Sequence, residues 1–165
     1  MFRSFFSAML ILLCFALLEA AVLSNIRLLP AIPDFLLLCV IYFSYNRGRS
    51  FGVVTGFTSG LFLDFLSASP LGLHCLLRSI LGWCFGFLHS SLNIDGIFFP
   101  ALLAFISTIL KAFLLRAISI FFPISVIHYD LSSSLFLWEL VLNVIFAPFV
   151  FKFLGVFRSQ LSEKV

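Results

Sequence analysis

Charge is scarce in this sequence. Only 10% of its 165 residues are Asp, Glu, Lys or Arg, while 62% are hydrophobic. Soluble domains are about 25% charged and about 45–50% apolar. A core of this size cannot hide so much apolar surface from water, so a soluble fold is excluded and lipid is the expected solvent. A basic run is also missing, which removes nucleic acid as an expected partner. The small net charge of +3 suits contact with anionic headgroups instead, so membrane lipids are expected partners. The four cysteines, Cys14, Cys39, Cys75 and Cys84, have neither metal-ligand spacing nor loop positions suited to disulfides. They are expected to behave as small buried hydrophobes. No nucleophile elbow, HExxH helix or phosphate loop is present. His74, His89 and His128 are isolated at span ends. Catalytic residues, cofactors and metals are therefore not expected, and the chain is read as a non-enzyme.

What is there is a series of apolar runs. At about 20 residues per crossing, the length allows about six or seven spans with short loops and leaves no room for a separate soluble domain. Breaks in apolarity predict an all-α integral membrane protein, a single transmembrane domain over residues 1–165. Six spans are expected at about 5–23, 33–45, 51–66, 73–90, 97–121 and 132–154. The first resembles a signal peptide in length, but Glu19 and the later runs favour a retained helix. Pro33 and Asp34 open the second span: Pro fits a first helical position and Asp suits the positive end of the helix dipole. The second and third spans are short for a hydrocarbon core about 30 Å thick. With the N-terminus inside, the cytoplasmic loops and flanks hold Arg3, Arg47, Arg49, Lys152, Arg158 and Lys164, and the opposite side only Arg27. That bias places both termini in the cytoplasm.

The third and fourth spans carry the strongest local pattern. Gly52, Gly56 and Gly60 recur in steps of four and lead to Asp64; Arg78 is followed by Gly82 and Gly86. Four-residue steps keep side chains near one helix face, and small residues so spaced let membrane helices approach closely. Pro70 and Gly72 shape the intervening turn. Paired as an antiparallel hairpin centred on Leu71, one register sets Asp64 level with Arg78, Gly60 with Gly82 and Gly56 with Gly86. The expectation is a tight hairpin with an Asp64–Arg78 ion pair about 10 Å from its turn, which either locks the fold or serves a cavity or interface. A wider pattern also follows from the orientation. Glu19, Asp34, Asp64, Arg78, Lys111, Arg116 and Glu139 all fall in the outer half of the membrane. Intramembrane charges usually pair or face a hydrated cavity; long cations alternatively snorkel to headgroups. A polar outward pocket or docking surface, open to a small-molecule or lipid ligand, is one reading of this cluster.

The order of these pieces resembles a known family. Pro33-Asp34 opens an apolar helix and Arg47-Gly48 sits in a short loop. Then come Gly56-Phe57, Gly60-Leu61, Asp64, Pro70-Leu71-Gly72-Leu73-His74, and Gly82-Trp83 with Gly86. Over Pro33–Leu88, about a third of the chain, this is similar to MreD, the small membrane subunit of the bacterial rod-shape system. Trp83 stands where the family suggests Tyr, and the resemblance does not demand Arg78 or the 24 phenylalanines. The resemblance implies a multi-pass scaffold in the bacterial inner membrane, supporting cell shape and lateral peptidoglycan synthesis. Its implied partners are an MreC-like protein and the cell-wall elongation complex. It also implies a fold like that of the substrate-binding subunits of energy-coupling-factor transporters. The alternative reading, from a different functional class, is therefore a solute-binding subunit for a vitamin or metal.

Overall fold

The computed structural model describes residues 2–21, 31–67, 69–89, 96–121 and 133–157. Arg27, His128, Asp130, Arg158 and Lys164 lie outside the described residues. Within them the chain is helical, with no strand: α1 Phe2–Ala21, α2 Phe35–Arg47, α3 Arg49–Leu66, α4 Leu73–Gly86, α5 Phe98–Phe121 and α6 Ser134–Val156. Three of these, α1, α5 and α6, are long and apolar enough to cross a membrane. At 1.5 Å per residue, the 13-residue α2 and 14-residue α4 reach only about 20 Å.

The shortest helix is the central one. Every residue of α2 from Phe35 to Tyr45 is buried, because α1, α3, α4, α5 and α6 all pack on it. An all-round apolar surface is what such a position demands. Its side chains Leu36, Leu37, Leu38, Val40 and Ile41 are wholly enclosed, and Tyr42 stacks edge-on against Phe151 of α6 with ring centroids 5.3 Å apart. The outer helices instead carry apolar stripes on their outer faces: Phe6, Leu10, Leu13 and Leu17 on α1, Phe105, Ile109 and Phe113 on α5, and Leu137, Val141 and Ile145 on α6. In water such surfaces would be untenable; in lipid they need no cover.

The helix positions follow the apolar runs, with two local corrections. Asp34 is the N-cap of α2, accepting from Leu37 N, so Pro33 precedes the helix rather than opening it. Cys39 and Cys75 are buried, but Cys14 is exposed, on the apolar outer side of α1.

The α3–α4 hairpin is as tight as its glycines suggest, in a different register. A Cβ on Gly52 would lie 2.5 Å from both Gly82 O and Ser44 Oγ, one on Gly86 would lie 2.5 Å from Arg49 Cα, and those on Gly56 and Gly60 would collide with the backbone of Arg78 and of His74–Cys75. Gly82 thus meets Gly52, eight residues before the expected Gly60, a slide of about 12 Å. The turn between the helices is short, and Gly72 makes it with a left-handed φ of 94°, the conformation glycine adopts at no steric cost.

Candidate functional site

The slide changes the partners of both hairpin charges. Asp64, expected opposite Arg78, instead accepts backbone N–H groups from Gly72 at 2.8 Å, His74 at 3.1 Å and Cys75 at 3.4 Å. It caps the N-terminus of the neighbouring helix. The physical reason is that the first N–H groups of a helix have no partner of their own and lie at the positive end of its dipole. An Asp64–Arg78 pair would leave those donors bare in an apolar medium; a carboxylate among them satisfies several at once.

Arg78, 1% exposed, turns the other way, into the bundle. Its Nη2 donates to Asp34 Oδ1 at 2.7 Å. Lys111 on α5 donates to Asp34 Oδ2 at 2.6 Å and to Glu139 Oε1 on α6 at 2.7 Å. Asp34 Oδ1 also accepts Leu37 N at 2.8 Å, and the Asp34 backbone N–H donates to Asn143 Oδ1 at 2.8 Å. Asn143 Nδ2 in turn donates to Thr108 Oγ1 at 3.1 Å. Glu19, from the last turn of α1, lies where the charges of Asp34, Arg78 and Lys111 act on it. Asp34 caps the α2 N-terminus and ties α2 to α4, α5 and α6. Hydrogen bonds between ionised groups are the strong kind, and a buried network of this sort specifies one arrangement of its helices when its members are satisfied.

Of the charges expected in the outer half, the structure brings together Glu19, Asp34, Arg78, Lys111 and Glu139. It sets Asp64 apart at the α4 N-terminus and leaves Arg116 exposed. Asn143 and Thr108 were not anticipated. A signal existed: Glu139 and Asn143 are four apart and Thr108 and Lys111 three apart, so each pair shares a helix face. Several polar contacts are local. Ser44, Thr55, Ser59, Ser79 and Ser107 return their hydroxyls to backbone carbonyls of their own helices.

At the opposite end of α2 the surface is basic. The Arg49 guanidinium lies 3.8 Å from the centre of the Phe87 ring and that of Arg47 lies 5.0 Å from Phe51. His89 Nδ1 is 2.7 Å from Tyr45 O. These arginines belong to the flank that the charge bias assigns to the cytoplasm.

Compared with known proteins, residues 2–157 match the family model described as rod shape-determining protein MreD. No curated protein and no solved structure matches. With nearly its whole length covered, the chain belongs to the MreD family and is a membrane protein of bacterial rod-shape determination.

Proposed function

We propose that this chain is a non-enzymatic scaffold of the rod-shape and elongation machinery, a multi-pass inner-membrane protein of six crossings with both ends in the cytoplasm. It presents a rigid intramembrane surface to a transmembrane helix of an MreC-like partner and so supports lateral peptidoglycan synthesis. The observation that carries this reading is where the charge goes. Asp34, Arg78, Lys111 and Glu139 bond to one another, and the glycine seam locks α3 to α4 backbone against backbone. The polar residues hold the bundle in one shape, while the outer faces of α1, α5 and α6 stay apolar and leave the bundle open to lipid or to a partner's transmembrane helix. Pro33, Asp34, Gly52, Gly56, Gly60, Asp64, Pro70, Gly72, Arg78, Gly82 and Gly86 would serve the function by keeping that shape.

Copurification from membranes tests the proposal. An MreC-like protein is expected to accompany the chain, and depletion is expected to turn rods into spheres. Capture of an ATPase module with a bound vitamin or metal would instead favour the solute-binding alternative. One observation speaks for that reading: Arg78 and Glu19 each keep a buried polar atom without a hydrogen-bond partner.

A further inference from the structure

The exposed face of α4 is a narrow stripe that ends at a cation. Leu76, Trp83 and Phe87 are the large apolar side chains that α4 and its C-cap leave open, and steps of seven and four set them on one side of the helix. Trp83 meets Phe87 edge-on with ring centroids 4.5 Å apart, and the Arg49 guanidinium of α3 lies 3.8 Å from the centre of the Phe87 ring. The glycine seam sets up this last contact. Gly86 lets the start of α3 press on the last turn of α4, where a Cβ would lie 2.5 Å from Arg49 Cα, so the Arg49 side chain leaves the seam beside Phe87. Arg47 is spent differently: its guanidinium lies over the half-buried Phe51, and its Nη2 is enclosed. Arg49 is exposed. Among the described residues no carboxylate bonds to it, and Asp64 sits near the other end of the same helix. A ring so close covers a face of the guanidinium and leaves its in-plane N–H fork, the geometry that grips two oxygens of one phosphate.

The length of the stripe says what fits it. From Leu76 to Phe87 the helix rises about 16 Å, close to half of a hydrocarbon core about 30 Å thick. The stripe is one leaflet long and apolar throughout. Its aromatic rings stand at the end where α4 leaves the membrane, the level at which Trp concentrates, and the cation lies on them. A complementary molecule is apolar over the length of one leaflet and anionic at its tip. We propose that this stripe binds an acidic phospholipid of the cytoplasmic leaflet, an acyl chain along Leu76 and Trp83 and the phosphate on the Arg49 fork. A zwitterionic lipid offers the same phosphate but brings an ammonium that the guanidinium repels. A second copy of the chain could cover the apolar part, but in the same orientation it would set its own basic flank against this one. The inference rests on the proposed crossing of α4 and on no protein partner.

The test reads the lipid beside Trp83. The chain has two tryptophans, so Trp138→Phe leaves Trp83 as the sole reporter. The full-length protein in this background is reconstituted into bilayers in which brominated phosphatidylglycerol or brominated phosphatidylcholine quenches its fluorescence. Phosphatidylglycerol is expected to be preferred beside Trp83 by about fivefold, what one basic side chain contributes near an anionic headgroup. Arg49→Gln is expected to bring the two lipids to parity, with quenching by brominated phosphatidylcholine retained as the sign that the variant is folded and Trp83 still faces lipid. Lys152→Gln removes another exposed charge from the same flank and is expected to leave the preference intact. Equal preference for the two lipids before any substitution overturns the proposal. So does a preference that survives Arg49→Gln, or one that Lys152→Gln lowers as much, which would be the field of the whole flank rather than a site. Absence of quenching by either lipid also overturns it, gives the stripe to a second copy of the chain and, unlike the other outcomes, counts against the proposed crossing of α4.

Discussion

Replacing Asp34 by alanine removes the hub of the buried network while leaving its cations in place. Arg78 and Asp34 have side chains 1% and 5% exposed, so the guanidinium would stay buried with no anion bonded to it. Breaking a buried ion pair from one side costs about 3–5 kcal/mol, most of it the uncompensated charge. Lys111 adds less, because it keeps Glu139 at 2.7 Å. The lost N-cap bond to Leu37 adds about 1 kcal/mol, for a total of about 4–6 kcal/mol. Asp34→Asn separates the two effects: asparagine caps a helix as well as aspartate, so its cost should be about 1 kcal/mol smaller. Removing the stranded charge together with its anion, in Asp34→Asn with Arg78→Met, should be milder than the sum of the two changes by at least about 1 kcal/mol, the coupling expected of residues in direct contact. Equilibrium unfolding of the purified protein in mixed detergent–dodecyl sulfate micelles, followed by circular dichroism, gives all four corners of the cycle. An Asp34→Ala protein within about 1 kcal/mol of wild type, or a strictly additive double variant, would refute the assignment of Asp34 as the hub.

Three further outcomes are open to the same unfolding measurement. Gly82→Ala sets a methyl group into the Gly52 backbone and should cost about 1–3 kcal/mol through overpacking, whereas Gly155→Ala, with nothing within 4 Å of the added carbon, should be neutral or stabilise α6 by up to about 1 kcal/mol; equal effects would contradict the seam. The charge exchange Asp64→Arg with Arg78→Asp should fail to restore what either single change loses, because Asp64 serves backbone donors and not Arg78; rescue in membrane protein levels would restore the hairpin pair that the structure replaces. Asn143→Leu strands the Asp34 N–H and removes the bond that Thr108 Oγ1 accepts, although that hydroxyl still donates to Ala104 O, and should cost about 1–3 kcal/mol, with Asn143→Asp intermediate because only its acceptor survives.

Helix placement was legible because length and apolarity decide it: each expected span overlaps one helix, from α1 through α6. The glycine stripes were legible as a seam for the same reason, since a Cβ-free face at four-residue steps has few other uses in lipid. The register of that seam was not. Matching charge to charge put Asp64 opposite Arg78 and left the backbone out of the reckoning, although the α4 amides were as much in need of a partner as the guanidinium. The true partner of Arg78 is 44 residues away, and no local spacing marks a contact between the cap of one helix and the second turn of another. Glu139 and Asn143 were visible as a polar face of α6; their joint target, the cap of α2, was not.

The short central helix explains why charge collects where it does. An α2 of 13 residues spans about 20 Å, less than a hydrocarbon core of about 30 Å. Buried on all sides, it starts within the bundle rather than in water, and its first N–H groups must be satisfied there. Asp34 meets that need, with a bond to Leu37 N. A carboxylate in such surroundings then demands cations, and Arg78 and Lys111 both reach Asp34, from α4 and α5. Lys111 bonds a second acid, and Glu139 is that acid. The 14-residue α4 repeats the first step with Asp64, but three backbone donors from Gly72, His74 and Cys75 share that one carboxylate, and no cation has to be recruited among the described residues. The network is therefore the consequence of a helix start placed inside the bundle. Its extent is set by how many donors that start leaves for acids to share.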